Sequence, residues 1–462
     1  MVTRRTLSIL CLGIMGLPIY GLNFRLYEIL QKRGLVGPET GTFTLFLYQY
    51  VPLAILYLVG IVILFKHDRE NKVNSQVLYV ILLFGLIYRI FLLPSQPVLS
   101  SDMYRYLWDG RVQAHGTNPY RYPPNDEALK DLRDNTVYPH INRKGSRTIY
   151  PAGAQAIFYL LHRLGVRHVT PFKAFTVLCD MGSILLLVVI LKNLGLKRER
   201  VLVYAWNPLV IYEIGNNGHL DAFVVLFVLL AIFFLVTERP NATVSSLAVA
   251  TSLKLYPLII LPALLRQKKV QKVFLFGAIV LLFYLPYFSV GGKVLGFLPE
   301  YLTNPHETFN LGLKSYLLAI PSFLGHWMVT IAFAIALVVA AAVVWIKKKE
   351  DAFDGIRFAY FLAGLQIVLV SASFHPWYLI WIIPFLSFYP SPAWLYFSLM
   401  VPFSYLKYQS PDGILPEWVR HMEYIPFFLL LAVEYFMFRK SFRSFFPLRL
   451  PGEEGHKTTM SA

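Results

Sequence analysis

Uninterrupted apolar blocks of roughly 15–23 residues alternate along the chain with short polar connectors, the rhythm of helices that cross a bilayer. The blocks are 6–22, 43–65, 77–94, 170–191, 201–237, 242–265, 273–290, 326–346, 356–389, 393–406 and 424–438. Block 201–237 breaks near Gly215–Gly218 and block 356–389 near Pro376. The pattern predicts an all-α, polytopic transmembrane helical protein of about 11–13 spans, organised as a single integral membrane domain over 1–462. Segment 151–164 fits a short span, an interfacial helix or part of an outer layer, and its length does not choose among them.

One stretch departs from the rhythm. Residues 101–120, SDMYRYLWDGRVQAHGTNPY, are polar and rich in aromatics between two long apolar blocks. Read as a helix, they set Asp102, Arg105, Tyr106 and Asp109 at i, i+3, i+4 and i+7, so that two carboxylates, a guanidinium and a phenol share one face. Gly116, Asn118 and Pro119 then end the helix.

Composition agrees with the membrane: 56% of residues are hydrophobic and 15% charged. The formal charge of +17 would suit nucleic acid if it were clustered for that purpose. Instead Lys and Arg collect in short connectors, at Arg4–Arg5, Lys66–Lys72, Lys192–Arg200, Arg266–Lys272, Lys347–Lys349 and Arg439–Arg443. That is the positive-inside pattern of a multi-pass protein of the cell membrane, with membrane lipids as partners and no nucleic acid. Cytoplasmic basic loops put both termini, including the 439–462 tail, in the cytoplasm. Alternation then places 95–150, 291–312, 371–376 and 407–421 outside, with short helices expected in these extracytoplasmic loops. Between 192–200 and 266–272 an even number of crossings is needed, and either three blocks or two with re-entrant breaks fill the interval. Cys11 and Cys179 have no metal or redox spacing and read as small core residues.

The run Ser101-Asp102-Met103-Tyr104-Arg105-Tyr106-Leu107-Trp108-Asp109-Gly110-Arg111, followed by Asn118-Pro119-Tyr120, resembles the first extracytoplasmic loop of GT-C glycosyltransferases. More narrowly, it is similar to bacterial polyprenyl-phosphate-mannose-dependent mannosyltransferases. Tyr150-Pro151, Asn207-Pro208-Leu209, Gly218-His219-Leu220-Asp221-Ala222, Lys254-Leu255-Tyr256-Pro257 and His375-Pro376-Trp377-Tyr378 extend the likeness in order from about 100 to 380. The resemblance implies a GT-C-like membrane fold, a polyprenyl-phosphate sugar donor with mannose as the sugar, a glycan or lipid acceptor, and Tyr120 among the substrate-binding residues. Many members open this loop with two acidic residues, whereas Ser101 precedes Asp102 here. No cofactor is assigned, and a divalent cation stays an open alternative.

The chemistry of such a transfer is modest. A sugar phosphate carries a good leaving group, so no protein acid need protonate it; one carboxylate to take the acceptor proton and one positive cradle for the phosphate suffice. A glycosidase instead needs two carboxylates about 5–10 Å apart across the sugar. Asp102 and Asp109 lie about 10 Å apart along a helix axis, a spacing that suits one base and one helper better than a retaining pair. Asp102 is the candidate base, with a helix-dipole role as the bland alternative. Asp109 either serves the substrate or pairs with Arg105 or Arg111. Tyr104, Tyr106 and Trp108 stack on sugars or anchor the helix at headgroup level.

Lys254, set in an apolar block, Arg105 and Arg111 are candidate phosphate ligands, with snorkelling or solvation as the alternatives. His219 and Asp221, at a helix break, are candidates to line a cavity. His375 and Tyr378, beside the kink at Pro376, are candidate substrate contacts. Loop 291–312, with Glu300, His306 and Glu307, is a candidate rim or lid. Two function classes follow: an integral membrane hexosyltransferase working at the extracytoplasmic face, or a transporter or flippase of lipid-linked saccharides. Transporters concentrate ionisable groups near the bilayer midplane, whereas the most charged segment here is a loop, which favours the enzyme.

Overall fold

The computed structural model describes residues 3–22, 29, 32–33, 42–66, 74–265, 270–303, 309–319, 325–347, 351–369 and 373–441. Every regular element among them is helical. Among the described residues seven helices are long and apolar enough to cross a membrane: Arg4–Leu22, Phe43–Lys66, Ser75–Leu92, Val169–Asn193, Val270–Tyr301, Trp327–Lys347 and Ala352–Leu369. Each falls on a block marked by hydropathy. His306 and Glu307, the tail beyond Ser441 and most of the basic connectors 67–73, 266–269 and 348–350 lie outside the described residues.

Of the other apolar blocks, 201–237, 242–265 and 393–406 are broken into shorter pieces among the described residues. Block 201–237 becomes Leu202–Ala205, Pro208–Ile211, a wide π-type turn over Tyr212–Asn216 and the 16-residue helix Asp221–Val236. Asn207 imposes the first break: its side chain accepts from the Leu209 and Val210 amides and donates to Ser398 Oγ at 3.1 Å, while Pro208 opens the next turn. The Asn207-Pro208-Leu209 motif is thus a helix start. Gly218, at φ 65°, closes the π-type turn in a conformation that suits glycine.

In block 242–265 the helix Pro240–Leu253 stops because Pro257 has no N–H to return to Leu253, four residues earlier, and Lys254 takes an extended backbone at φ −146°, ψ 146°. Beyond Ser373, Pro376 and Pro384 hold the chain in tight 3-10 turns at Pro376–Trp381 and Ile383–Ser387. Block 393–406 divides between Pro392–Met400 and the 3-10 turns of Val401–Gln409, and 424–438 lies within Glu417–Ser441.

Several charges inside the apolar blocks are satisfied by the protein itself. Arg89, fully buried on Ser75–Leu92, pairs with Asp180 on Val169–Asn193 and donates at 2.8 Å to both Gly85 O and Ala205 O. Tyr204 donates its hydroxyl to the same Asp180 carboxylate. Lys173 donates to Leu92 O and Ser95 O, both at 2.6 Å, and so caps the end of Ser75–Leu92. Neither cysteine forms a disulfide, and Cys11 is exposed on its helix rather than packed in the core.

The polar stretch forms the helix Asp102–Ala114, as its pattern predicts. It is no solvated island: Met103 to Gly110 are all buried. It packs on the helix Ala152–Arg163, which in turn packs on Pro240–Leu253. Glycines set both spacings. A Cβ on Gly110 would stand 2.4 Å from Phe158 O, and one on Gly153 would stand 2.7 Å from Ser252. Ala152–Arg163 has 12 residues. At about 18 Å it is too short for a hydrocarbon core of about 30 Å, and it serves as the middle layer of this stack.

Candidate active site

Where the helix starts at Asp102, the turn at Lys254 and the turns after Pro376 come together, they enclose a cavity of about 1520 Å³. Asp102, Tyr104 and Arg105 line it from the polar helix, Lys254 and Tyr256 from the broken block, and His375, Trp377, Tyr378 and Trp381 from the Pro376 turns. The 135–151 loop supplies Asn142, Arg143, Arg147 and Tyr150, and Phe297, Leu298 and Tyr301 close another side. Phe297 is held in place by its backbone N–H, which donates a hydrogen bond to Thr148 O at 3.0 Å.

Asp102 occupies the first turn of its helix, and Ser101 before it makes no side-chain cap. Its Oδ1 accepts from Asn142 Nδ2 at 2.8 Å. Burial, and next the Asp102 carboxylate, push the neighbouring Tyr150 phenol well above its ordinary range, so the phenol stays protonated beside the carboxylate.

Lys254 is neither snorkelling nor unpaired. Its Nζ donates to Asp221 Oδ2 at 2.7 Å and lies 5.8 Å and 5.7 Å from the centroids of Tyr378 and Trp381. Those rings belong to a pile in which Tyr256 stacks on Trp381 at 3.7 Å and Trp381 on Tyr378 at 4.6 Å. His375 is sandwiched between Phe309 at 4.4 Å and Trp377 at 4.3 Å, with a buried Nδ1 that no protein group meets.

Of the residues expected at a site, Asp102, Tyr104, Arg105, Lys254, His375 and Tyr378 share this cavity, and Asp109, Arg111, Tyr120, His219 and Asp221 do not line it. Asp109 is buried, accepting from Arg105 Nε at 2.8 Å and from Gln155 Nε2 at 2.9 Å. Arg105 also donates to Ser146 O at 3.1 Å, so it is bound within the protein and is not a solvated charge. Arg111 ties down the loop through Asp134 Oδ2 at 2.6 Å and Leu132 O at 3.0 Å. Burial alone would raise the Asp134 carboxyl, but Arg111, the Tyr138 and Val137 amides and Thr136 hold it well below the carboxylate range. The stabilisation from this staple is present above the ordinary aspartate range and is lost only as pH falls through and below it.

Tyr120 donates to Tyr150 O at 2.7 Å from a buried position. Tyr106 and Trp108 are likewise buried, Tyr106 stacked on Phe158 and Trp108 against Tyr138, which leaves Tyr104 as the member of that trio facing the cavity. His219 and Asp221 sit behind the wall instead of in it. Trp377 covers the His219 ring at 4.4 Å, and Lys254 with Trp381 covers Asp221. Among the described residues no group of three His, Cys, Asp or Glu side chains is placed to hold a metal ion.

Arg143 and Arg147 are cavity residues that the sequence did not single out. Arg143 adopts φ 48°, uncommon outside glycine, and its guanidinium lies 5.4 Å from the Phe297 ring. Arg147 has a buried Nε with no protein partner. Their signal in the sequence was slight: two cations four apart in a loop without periodicity. With Lys254 they give the cavity a cationic lining, while Asp102 supplies a carboxylate. The arrangement can hold an anionic group and accept a proton.

No curated protein matches the chain. The family model described as alpha-(1->6)-mannopyranosyltransferase, N-terminal domain, matches residues 36–267, a span that includes Asp102, Arg143, Arg147 and Lys254 and stops short of His375. This multi-pass chain belongs to the alpha-(1->6)-mannopyranosyltransferase family.

Proposed function

We propose that the protein transfers a mannosyl group from a polyprenyl-phosphate donor to a hydroxyl of a glycan or lipid acceptor, at the extracytoplasmic face of the membrane. Asp102 accepts the proton of the attacking hydroxyl; the bond between the sugar and the phosphate breaks, and the phosphate leaves with its charge held by Lys254, Arg143 and Arg147. Tyr104 and Tyr378 offer ring faces to the sugars. Asp109 and Arg111 act by shaping the helix and loop that carry the others. The observation that carries this reading is that a carboxylate and several cations face one large cavity in a chain rich in membrane-crossing helices. Membership of a mannosyltransferase family favours it over a transporter of lipid-linked saccharides.

The direct test is incubation of the purified protein in detergent with synthetic polyprenyl-phosphate mannose and a mannooligosaccharide, with mass analysis of the products. The expected result is acceptor extended by one hexose from the lipid donor. Extension from a nucleotide mannose alone, with none from the lipid, overturns the donor assignment.

The face of the membrane is tested separately. Asn125 and Lys347 are both exposed. In intact cells, Asn125→Cys is expected to react with an impermeant thiol reagent and Lys347→Cys only after lysis. The reverse pattern puts the cavity on the cytoplasmic side.

A further inference from the structure

Asp221 has 0% side-chain exposure, whereas its partner Lys254 has 16% and reaches the cavity. The Asp221 carboxylate divides its oxygens between two groups of the cavity wall: Oδ2 accepts from Lys254 Nζ at 2.7 Å, and Oδ1 accepts from the indole N–H of Trp381. Substrate cannot reach it, because the side chains it binds stand in front of it. Lys254 follows a helix break, on an extended backbone, and a lysine stem there has many rotamers to choose from. One carboxylate behind it removes that freedom and gives the ammonium a hydrogen-bonded partner in a poorly solvated wall. The same carboxylate fixes Trp381, on which Tyr378 and Tyr256 stack.

We infer that Asp221 is a positioning residue for donor binding: it aims the Lys254 ammonium at the donor phosphate and locks the neighbouring aromatic pile in register with it. This rests on the proposal that Lys254 holds that phosphate, and it goes further by assigning a role to a residue that touches no substrate. Such a residue acts only through Lys254 and Trp381, and this makes it separable from one that merely supports the fold.

The experiment is a double-mutant cycle on the full chain, with KM for polyprenyl-phosphate mannose and kcat measured for wild type, Lys254→Gln, Asp221→Asn and the double variant, beside thermal unfolding of each. Lys254→Gln and Asp221→Asn are each expected to raise donor KM by about tenfold or more, the worth of one charge-assisted hydrogen bond, with acceptor KM little changed. The double variant should fall well short of the product of the two single effects on donor KM, because with Lys254 gone only the Trp381 contact remains for Asp221 to hold. A wild-type donor KM in Lys254→Gln overturns the phosphate assignment, and this inference with it. Weakened donor use in Lys254→Gln beside a wild-type donor KM in Asp221→Asn, or a double variant worse by the product of the single effects, overturns this inference alone. Should Asp221→Asn fail to accumulate folded, Asp221→Glu replaces it: the charge is kept but displaced by one methylene, and donor KM should still rise over an unaltered melting curve. An unchanged donor KM in that variant refutes the role.

Discussion

Asp102→Asn lowers mannosyl transfer by about 10²–10⁴-fold, the usual contribution of a positioned general base, while the protein is made and melts as the wild type does. The expectation follows from what the substitution keeps. Asn is isosteric and retains an oxygen to accept from Asn142 Nδ2. What it removes is the basic oxygen facing the cavity. The competing role, a first-turn acid stabilising the helix dipole, predicts the opposite partition: a loss of stability of about 0.3–1 kcal/mol with transfer intact. Measuring kcat with lipid-linked mannose alongside the melting curve separates the two. Near-wild-type transfer would remove Asp102 from the chemistry and send the search for a base beyond the cavity wall, where Asp102 is the one carboxylate among the described lining residues.

Gly110→Val is expected to be as damaging through a different route. The Cβ it introduces would meet Phe158 O at 2.4 Å, and that oxygen belongs to helix backbone that cannot swing aside as a side chain would. Overpacking at a site of this kind costs about 1–3 kcal/mol and sometimes more, a large share of ordinary stability. Relief comes from the polar helix moving off Ala152–Arg163, which carries Asp102 and Arg105 away from the cavity and strains the contacts of Asp109 with Gln155. Low yield in detergent, an earlier melt and loss of transfer should appear together. A Gly110→Val protein with normal melting and normal transfer would mean that these helices do not pack at this point.

The parts legible in the sequence were those governed by local rules. Hydropathy located the continuous spans because a bilayer demands long apolar runs, and Pro376 and the Gly215–Gly218 region marked real breaks for reasons of backbone chemistry. The ion pair of Arg105 with Asp109 was open to view as an i,i+4 neighbour. Asp102 and Lys254 facing the same cavity was suggested by polarity in the wrong place for a membrane protein.

What stayed hidden depends on contacts distant in sequence. Whether Arg111 meets substrate or Asp134, and whether Tyr120 faces a sugar or Tyr150 O, is decided by the path of a loop that has no periodicity to read. Arg143 and Arg147 went unmarked for the same reason. Solvation, the alternative weighed for Arg105 and Arg111, does not hold: Arg105 pairs with Asp109 and Arg111 with Asp134, and Gly110 lets a neighbouring helix cover Asp102–Ala114.

The Arg89–Asp180 pair has a consequence for inheritance. In the apolar interior each ion balances the charge of the other, and stranding one of them costs about 3–5 kcal/mol. A lineage that loses the arginine first passes through a poorly folded intermediate, and so does one that loses the aspartate first. The two positions, 91 residues apart, are therefore bound to change as a couple or stay as they are, although neither lines the cavity. Asp102 and Lys254 line the cavity, whereas Arg89 and Asp180 serve the interior, and an alignment that scores all of them as fixed would be recording different histories.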